Sequence, residues 1–91
     1  MTLLNAFIEM NLPYANSLKG RRKVLNSIKE KLKKQNLSIL DISGEYPKNA
    51  TLAIVYLSID EESALKKLQK IESLLESSFV EVEFEISYEI V

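Results

Sequence analysis

Three features of the 91-residue sequence predict an α+β domain of element order βαββαβ. The first and last segments alternate with period two, the signature of strands with one buried face. Two internal segments shift to a 3.6-residue apolar period, the signature of amphipathic helices. A single clear turn, Gly44 to Asn49 with Tyr46-Pro47, separates the two middle strands.

The first strand is residues 2–12. Leu4, Ala6, Ile8, Met10 and Leu12 form its cleaner apolar set, and Leu3, Asn5, Phe7, Glu9 and Asn11 form the other. Pro13 ends it, because proline donates no ladder hydrogen bond. Ser17 then suits a helix N-cap, its hydroxyl accepting from free first-turn amides. The helix is expected from about Leu18 to Gln35, with Leu18, Val24, Leu25, Ile28 and Leu32 on one face and Asn36 as its stop. Residues 37–43 read as a short second strand. Residues 50–59 read as a third, apolar on both faces except at Ser58, which suggests a central position. Asp60 caps a second helix, with Glu61 and Glu62 placed favourably against its dipole and Ala64, Leu65, Leu68, Ile71 and Leu75 as its stripe. Residues 79–91 close the chain. Val80, Val82, Phe84, Ile86, Tyr88 and Ile90 face one way; Glu81, Glu83, Glu85, Ser87 and Glu89 face the other.

With right-handed crossovers this order gives a ferredoxin-like fold. It is a four-stranded antiparallel sheet with both helices on one face, strands one and three central, and strands two and four at the edges. The length suits one domain spanning residues 1–91, with no repeat or linker.

Composition narrows the chemistry. At 46% hydrophobic and 27% charged, the chain is an ordinary globular protein. It has no cysteine and no histidine, which removes the thiol nucleophile, the commonest general base and the commonest metal ligands. No metal and no cofactor is expected, and no pair of acidic residues shows a spacing for acid–base catalysis, so an enzyme is not expected. Residues 1–10 are apolar but lack the positive flank and cleavage site of a signal peptide, and no long apolar run follows. A cytoplasmic protein without a membrane span is the expectation.

Charge is segregated rather than large. The net charge is −1, yet eight of twelve cations fall between residues 19 and 34: Lys19, Arg21, Arg22, Lys23, Lys29, Lys31, Lys33 and Lys34, opposed by Glu30 alone. A concentrated basic face can select a polyanionic partner. Ser17, Lys19, Gly20, Arg21 and Arg22 cluster at the helix start, where outward amides, a positive dipole end and a glycine could admit a phosphate. Arg22, Lys29 and Lys33 line one strip with Asn26; Lys19, Lys23 and Lys34 line another. Arg21 falls at the centre of the apolar stripe, where a charge is costly unless paired, and is expected to reach Asp41 or Glu45.

The stretch Asn11-Leu12-Pro13-Tyr14-Ala15-Asn16-Ser17-Leu18-Lys19-Gly20-Arg21-Arg22-Lys23-Val24-Leu25 resembles the opening of YlxP-like proteins, small bacterial proteins carrying a domain of unknown function. The likeness continues in Asn36 with the following strand and its Asp41, and in Ala50-Thr51-Leu52, so it covers essentially the whole chain. Gly20 stands where that family usually has a charged residue, and Tyr46 where it often has tryptophan. The resemblance implies a ferredoxin-like fold, no established activity, and a gene setting among translation genes that suggests RNA or the ribosome. Other families of this topology fit less well. The glycine-rich, arginine-bearing first loop of acylphosphatases is absent, and Tyr14 stands where ACT domains place glycine after proline.

RNA or a ribosomal particle, contacted through the first helix, is therefore the expected partner. RNA on the open sheet face through Phe7 and Tyr56 is disfavoured, because Glu81, Glu83, Glu85 and Glu89 would lie there beside Glu9 and repel phosphate. The alternative is a dimeric interaction module or small-ligand regulatory module with no nucleic-acid role. In the homodimer, the acidic face of one copy would meet the basic helix of another.

Overall fold

A computed structural model describes residues 1–91 as β1 (Thr2–Asn11), α1 (Leu18–Lys33), β2 (Ser38–Asp41), β3 (Asn49–Ser58), α2 (Glu61–Ser78) and β4 (Glu83–Ile90). The sheet order is β2-β3-β1-β4 with every neighbouring pair antiparallel, so β1 and β3 are central. This is the ferredoxin-like plan expected from the sequence.

Alternation in β1 decides which face is covered. Leu4, Ala6, Ile8 and Met10 are buried, as are their β3 counterparts Ala50, Leu52 and Ile54. Leu25, Ile28 and Leu32 of α1 and Ile71 and Leu75 of α2 complete one core cluster with them. Leu4, Ala64 and Leu68 form a smaller cluster against Tyr56, Ile86 and Ile90. Tyr56 thus belongs to the helix side of the sheet, and the Lys67 ammonium sits 4.8 Å from its ring centroid. The same ammonium donates to the Gln35 carbonyl at 3.1 Å, tying α2 to the end of α1.

Three elements are shorter than their sequence patterns suggest. α1 ends at Lys33, because the amides of Gln35 and Asn36 fold back to the Leu32 and Lys33 carbonyls in a tighter turn. Asn36 then takes φ 63°, the left-handed conformation its short polar side chain tolerates. β2 stops at Asp41, whose carboxylate accepts from the Ser43 amide at 2.9 Å and turns the chain. β4 starts at Glu83 rather than near residue 79, because its partner β1 ends at Asn11, opposite Glu83. Phe79 to Val82 instead form a turn closed by the Val82 amide on the Phe79 carbonyl, which leaves Val80 exposed.

The apolar character of both faces of β3 has a different meaning from the one expected. The strand is central, but only its even-numbered face is covered; Val55 and Leu57 remain exposed on the other. Both helices lie on one side and no further layer exists in the 91 residues to cover the far face. No helix is long and apolar enough to cross a membrane.

Candidate functional site

The basic helix starts as its sequence suggests. Ser17 is the N-cap, with extended backbone and a hydroxyl that accepts from the Gly20 amide at 3.0 Å. The Arg21 amide donates to the Ser17 carbonyl at 3.0 Å. The amides of Leu18 and Lys19 have no acceptor within the helix. No acidic residue occupies this first turn, which instead carries Lys19 and Arg21, with Arg22 just beyond it. Cations at a helix N-terminus oppose the dipole, each at a cost of about 0.3–1 kcal/mol.

Arg21 is spoken for. Its Nη1 donates to the carbonyls of Gly44, Tyr46 and Asn49 at 2.8, 2.9 and 3.0 Å. The carboxylate pairing expected with Asp41 or Glu45 does not form; three loop carbonyls satisfy the cation instead. Through Nη1 the guanidinium thereby pins the β2–β3 loop to α1. Residue types could not reveal this arrangement, because a backbone carbonyl carries no sequence identity.

Lys29 is also engaged, with Nζ 3.5 Å from Asp41 Oδ2. Partial burial pushes the Asp41 carboxyl upward, but hydrogen bonds from Ser43 and the charge of Lys29 outweigh it and leave its pKa below the ordinary carboxylate value. The remaining cations of the helix and its cap, Lys19, Arg22, Lys23, Lys31, Lys33 and Lys34, are all exposed. None has a carboxylate partner, since the one other ion pair in the molecule is Lys66–Glu62. The site is thus five unpaired cations on adjoining strips of the helix, with Lys31 on the opposite flank. Arg22 and Lys33 lie toward the β2 side and Lys19, Lys23 and Lys34 along the outer ridge.

Beside the helix start lies an apolar cleft of about 320 Å³, lined by Leu12, Tyr14, Gly20, Val24, Phe79 and Val82 among others. Gly20 forms part of its wall, but a Cβ there would meet only Ser17 Oγ at 3.4 Å, an ordinary contact. The glycine is therefore not required by packing.

The opposite face of the sheet is acidic along β4. Glu83, Glu85 and Glu89 stand across from Asn11, Glu9 and Asn5, so four carboxylates share the open face. Phe7 lies among the exposed residues of this face, whereas Tyr56 does not, and Glu81 sits in the turn before β4. No group of three or more His, Cys, Asp or Glu side chains is placed to hold a metal ion.

Fold and site together define a small ferredoxin-like domain with one basic and one acidic side. The chain belongs to a family described as a protein of unknown function (DUF503), whose model matches residues 4–88. No curated protein matches the sequence. Among solved structures, the chain is similar to the de novo designed protein Foldit4, at 10% identity and TM-score 0.58, covering 98% of this chain and 97% of that one. It is also similar to a de novo designed protein with ferredoxin fold, LFR1 1, at 15% identity and TM-score 0.54, covering 98% and 86%. A dimeric ferredoxin-like protein from an uncultured marine organism matches at 16% identity and TM-score 0.52, covering 100% and 93%. At these identities the likeness concerns the fold.

Proposed function

We propose that this protein binds RNA, free or within a ribosomal particle, through the solvent face of α1. The observation that carries the reading is the set of six exposed cations without intramolecular partners, on a helix that loses stability by holding one of them, Lys19, in its first turn. Phosphates spaced along a strand would neutralise both strips at once, giving affinity with little sequence preference. The likeness of residues 11–25 to YlxP-like proteins supports the same reading through the translation setting of that family, and a cytoplasmic location follows from it. The role of Arg21 and Lys29 in this site is structural; Lys19, Arg22, Lys23, Lys33 and Lys34 contact the ligand.

Retention on purified ribosomal subunits and on mixed RNA, at low and moderate salt, tests the proposal. The wild-type chain is retained, and a variant carrying Arg22→Glu, Lys23→Glu and Lys33→Glu is not, while its circular dichroism is unchanged. Tight binding that survives the triple reversal would sink the site assignment. No binding even at low salt would remove the nucleic-acid role and leave the interaction-module reading.

A further inference from the structure

The register of the sheet gathers apolar side chains on the face without helices. Leu3 pairs with Leu57, Asn5 with Val55, and Phe7 with Ala53, while Leu40 of β2 lies across from Ala53. The result is a continuous band running from Leu40 at the β2 edge through Ala53, Phe7 and Val55 to Leu57 and Leu3. Its members are far from covered: Leu40 is 65%, Leu57 59% and Phe7 50% exposed. The carboxylates of Glu9, Glu83 and Glu85 occupy the opposite corner, toward the Asn11 end of β1, and Glu89 stands at the β4 edge across from Asn5.

We propose that this face is the interface of a homodimer, with the open sheets of two copies packed against each other. The proposal is independent of RNA binding, which uses the other side of the molecule. Area admits a second copy. Strands about 4.8 Å apart and rising about 3.4 Å per residue, with β2 only four residues long, make this face about 500 Å². Two such faces bury about 1,000 Å², the least that a specific protein interface needs. Sheets packed face to face within about 30° of alignment interdigitate side chains of the kind present here. The carboxylate corner excludes a polyanion from the same surface. The helix-to-sheet dimer expected from charge alone does not close, because α1 and the acidic face lie on opposite sides of the sheet. That contact is head-to-tail and would propagate rather than form a two-fold pair.

Charge also selects the orientation. A two-fold axis across the strands would stack β4 on β4, bringing Glu85 of one copy toward Glu89 of the other. An axis parallel to the strands instead lays β4 of each copy over β2 of the other. The acidic corner then approaches the 42–48 loop, which carries Glu45 and Lys48, and not its own copy in the partner. The second arrangement keeps the two carboxylate rows of β4 apart and superposes the apolar bands.

Sedimentation equilibrium at high micromolar concentration reads the result. The wild-type chain has twice the mass of one chain, and Leu40→Asp and Phe7→Asp each give the single-chain mass with unchanged circular dichroism. Should Phe7→Asp fail to fold from the central strand, Leu40→Asp at the exposed edge still decides. A wild-type monomer overturns the proposal, as does a dimer unaffected by Leu40→Asp. The native chain has no cysteine, so single cysteines report contacts cleanly. Mixed Leu40→Cys and Ser87→Cys proteins cross-link to each other on oxidation; cross-linking of Ser87→Cys to itself alone overturns the strand-parallel axis.

Discussion

Arg21 shows how a residue at a hydrophobic position can carry charge without acting on a ligand. Two hydrogens on Nη1 serve the carbonyls of Gly44, Tyr46 and Asn49, and the aliphatic stem runs beside the core. Replacing it with methionine keeps the stem but leaves those exposed carbonyls to water, so Arg21→Met is expected to cost about 1–2 kcal/mol in urea unfolding. RNA retention per folded molecule should not change. Asp41 and Asp60 carry the acid response. Asp60 is lowered first by its hydrogen bonds from Ser63, and Asp41 is held down by Ser43 and Lys29 against the effect of burial. Both folded values lie below the ordinary 3.8, so their stabilisation is complete above that pH and is lost as pH falls through the lower folded values. Urea midpoints measured down that range should fall, and Asp41→Asn with Asp60→Asn should flatten the fall. The sequence showed the Asp60 cap, since capping chemistry is local. It could not show the Arg21 acceptors, which lie 23 to 28 residues away.

At the scale of the element, α1 is a helix whose packing face is ordinary and whose first turn works against it, while Lys31 and Lys33 in its last turn suit the dipole. Leu25, Ile28 and Leu32 are buried as their spacing requires, while no acidic side chain balances the cations of the first turn. Lys19→Glu should therefore raise stability by about 0.3–1 kcal/mol in thermal unfolding. The same change should weaken RNA retention, which separates binding from folding. Gly20→Ala adds helix propensity worth up to about 1 kcal/mol. Its new Cβ meets only Ser17 Oγ at 3.4 Å, so a net gain in stability is expected. Retained RNA binding in that variant would show that no ligand needs close approach to the Gly20 backbone. Apolar periodicity made both helices legible. Element ends were less so, because β4 begins where β1 stops supplying partners and α1 ends where Asn36 turns the chain.

The whole molecule separates opposite charges across one sheet, with cations on the outer helix and carboxylates on the uncovered face. RNA binding should therefore depend steeply on salt. With about −0.7 in log affinity per log salt for each phosphate on a single strand, the five contacting cations set a limit of about −3.5. Titrations across salt should approach that slope for the wild type and flatten for the Arg22, Lys23 and Lys33 reversal. By itself the sequence determined the order of elements, the apolar side of both helices and of the first and last strands, the two helix caps and the basic face. Each of these follows from local periodicity or from a side chain acting on its own turn. Tertiary structure decided which cations are free. Arg21 and Lys29 were drawn into the fold by a loop and an edge strand distant in sequence, leaving Lys19, Arg22, Lys23, Lys31, Lys33 and Lys34 unpaired. It also decided that the apolar odd positions of β3 face outward. Alternation reveals two faces of a strand, but only the placement of both helices on one side determines which face is left for a partner.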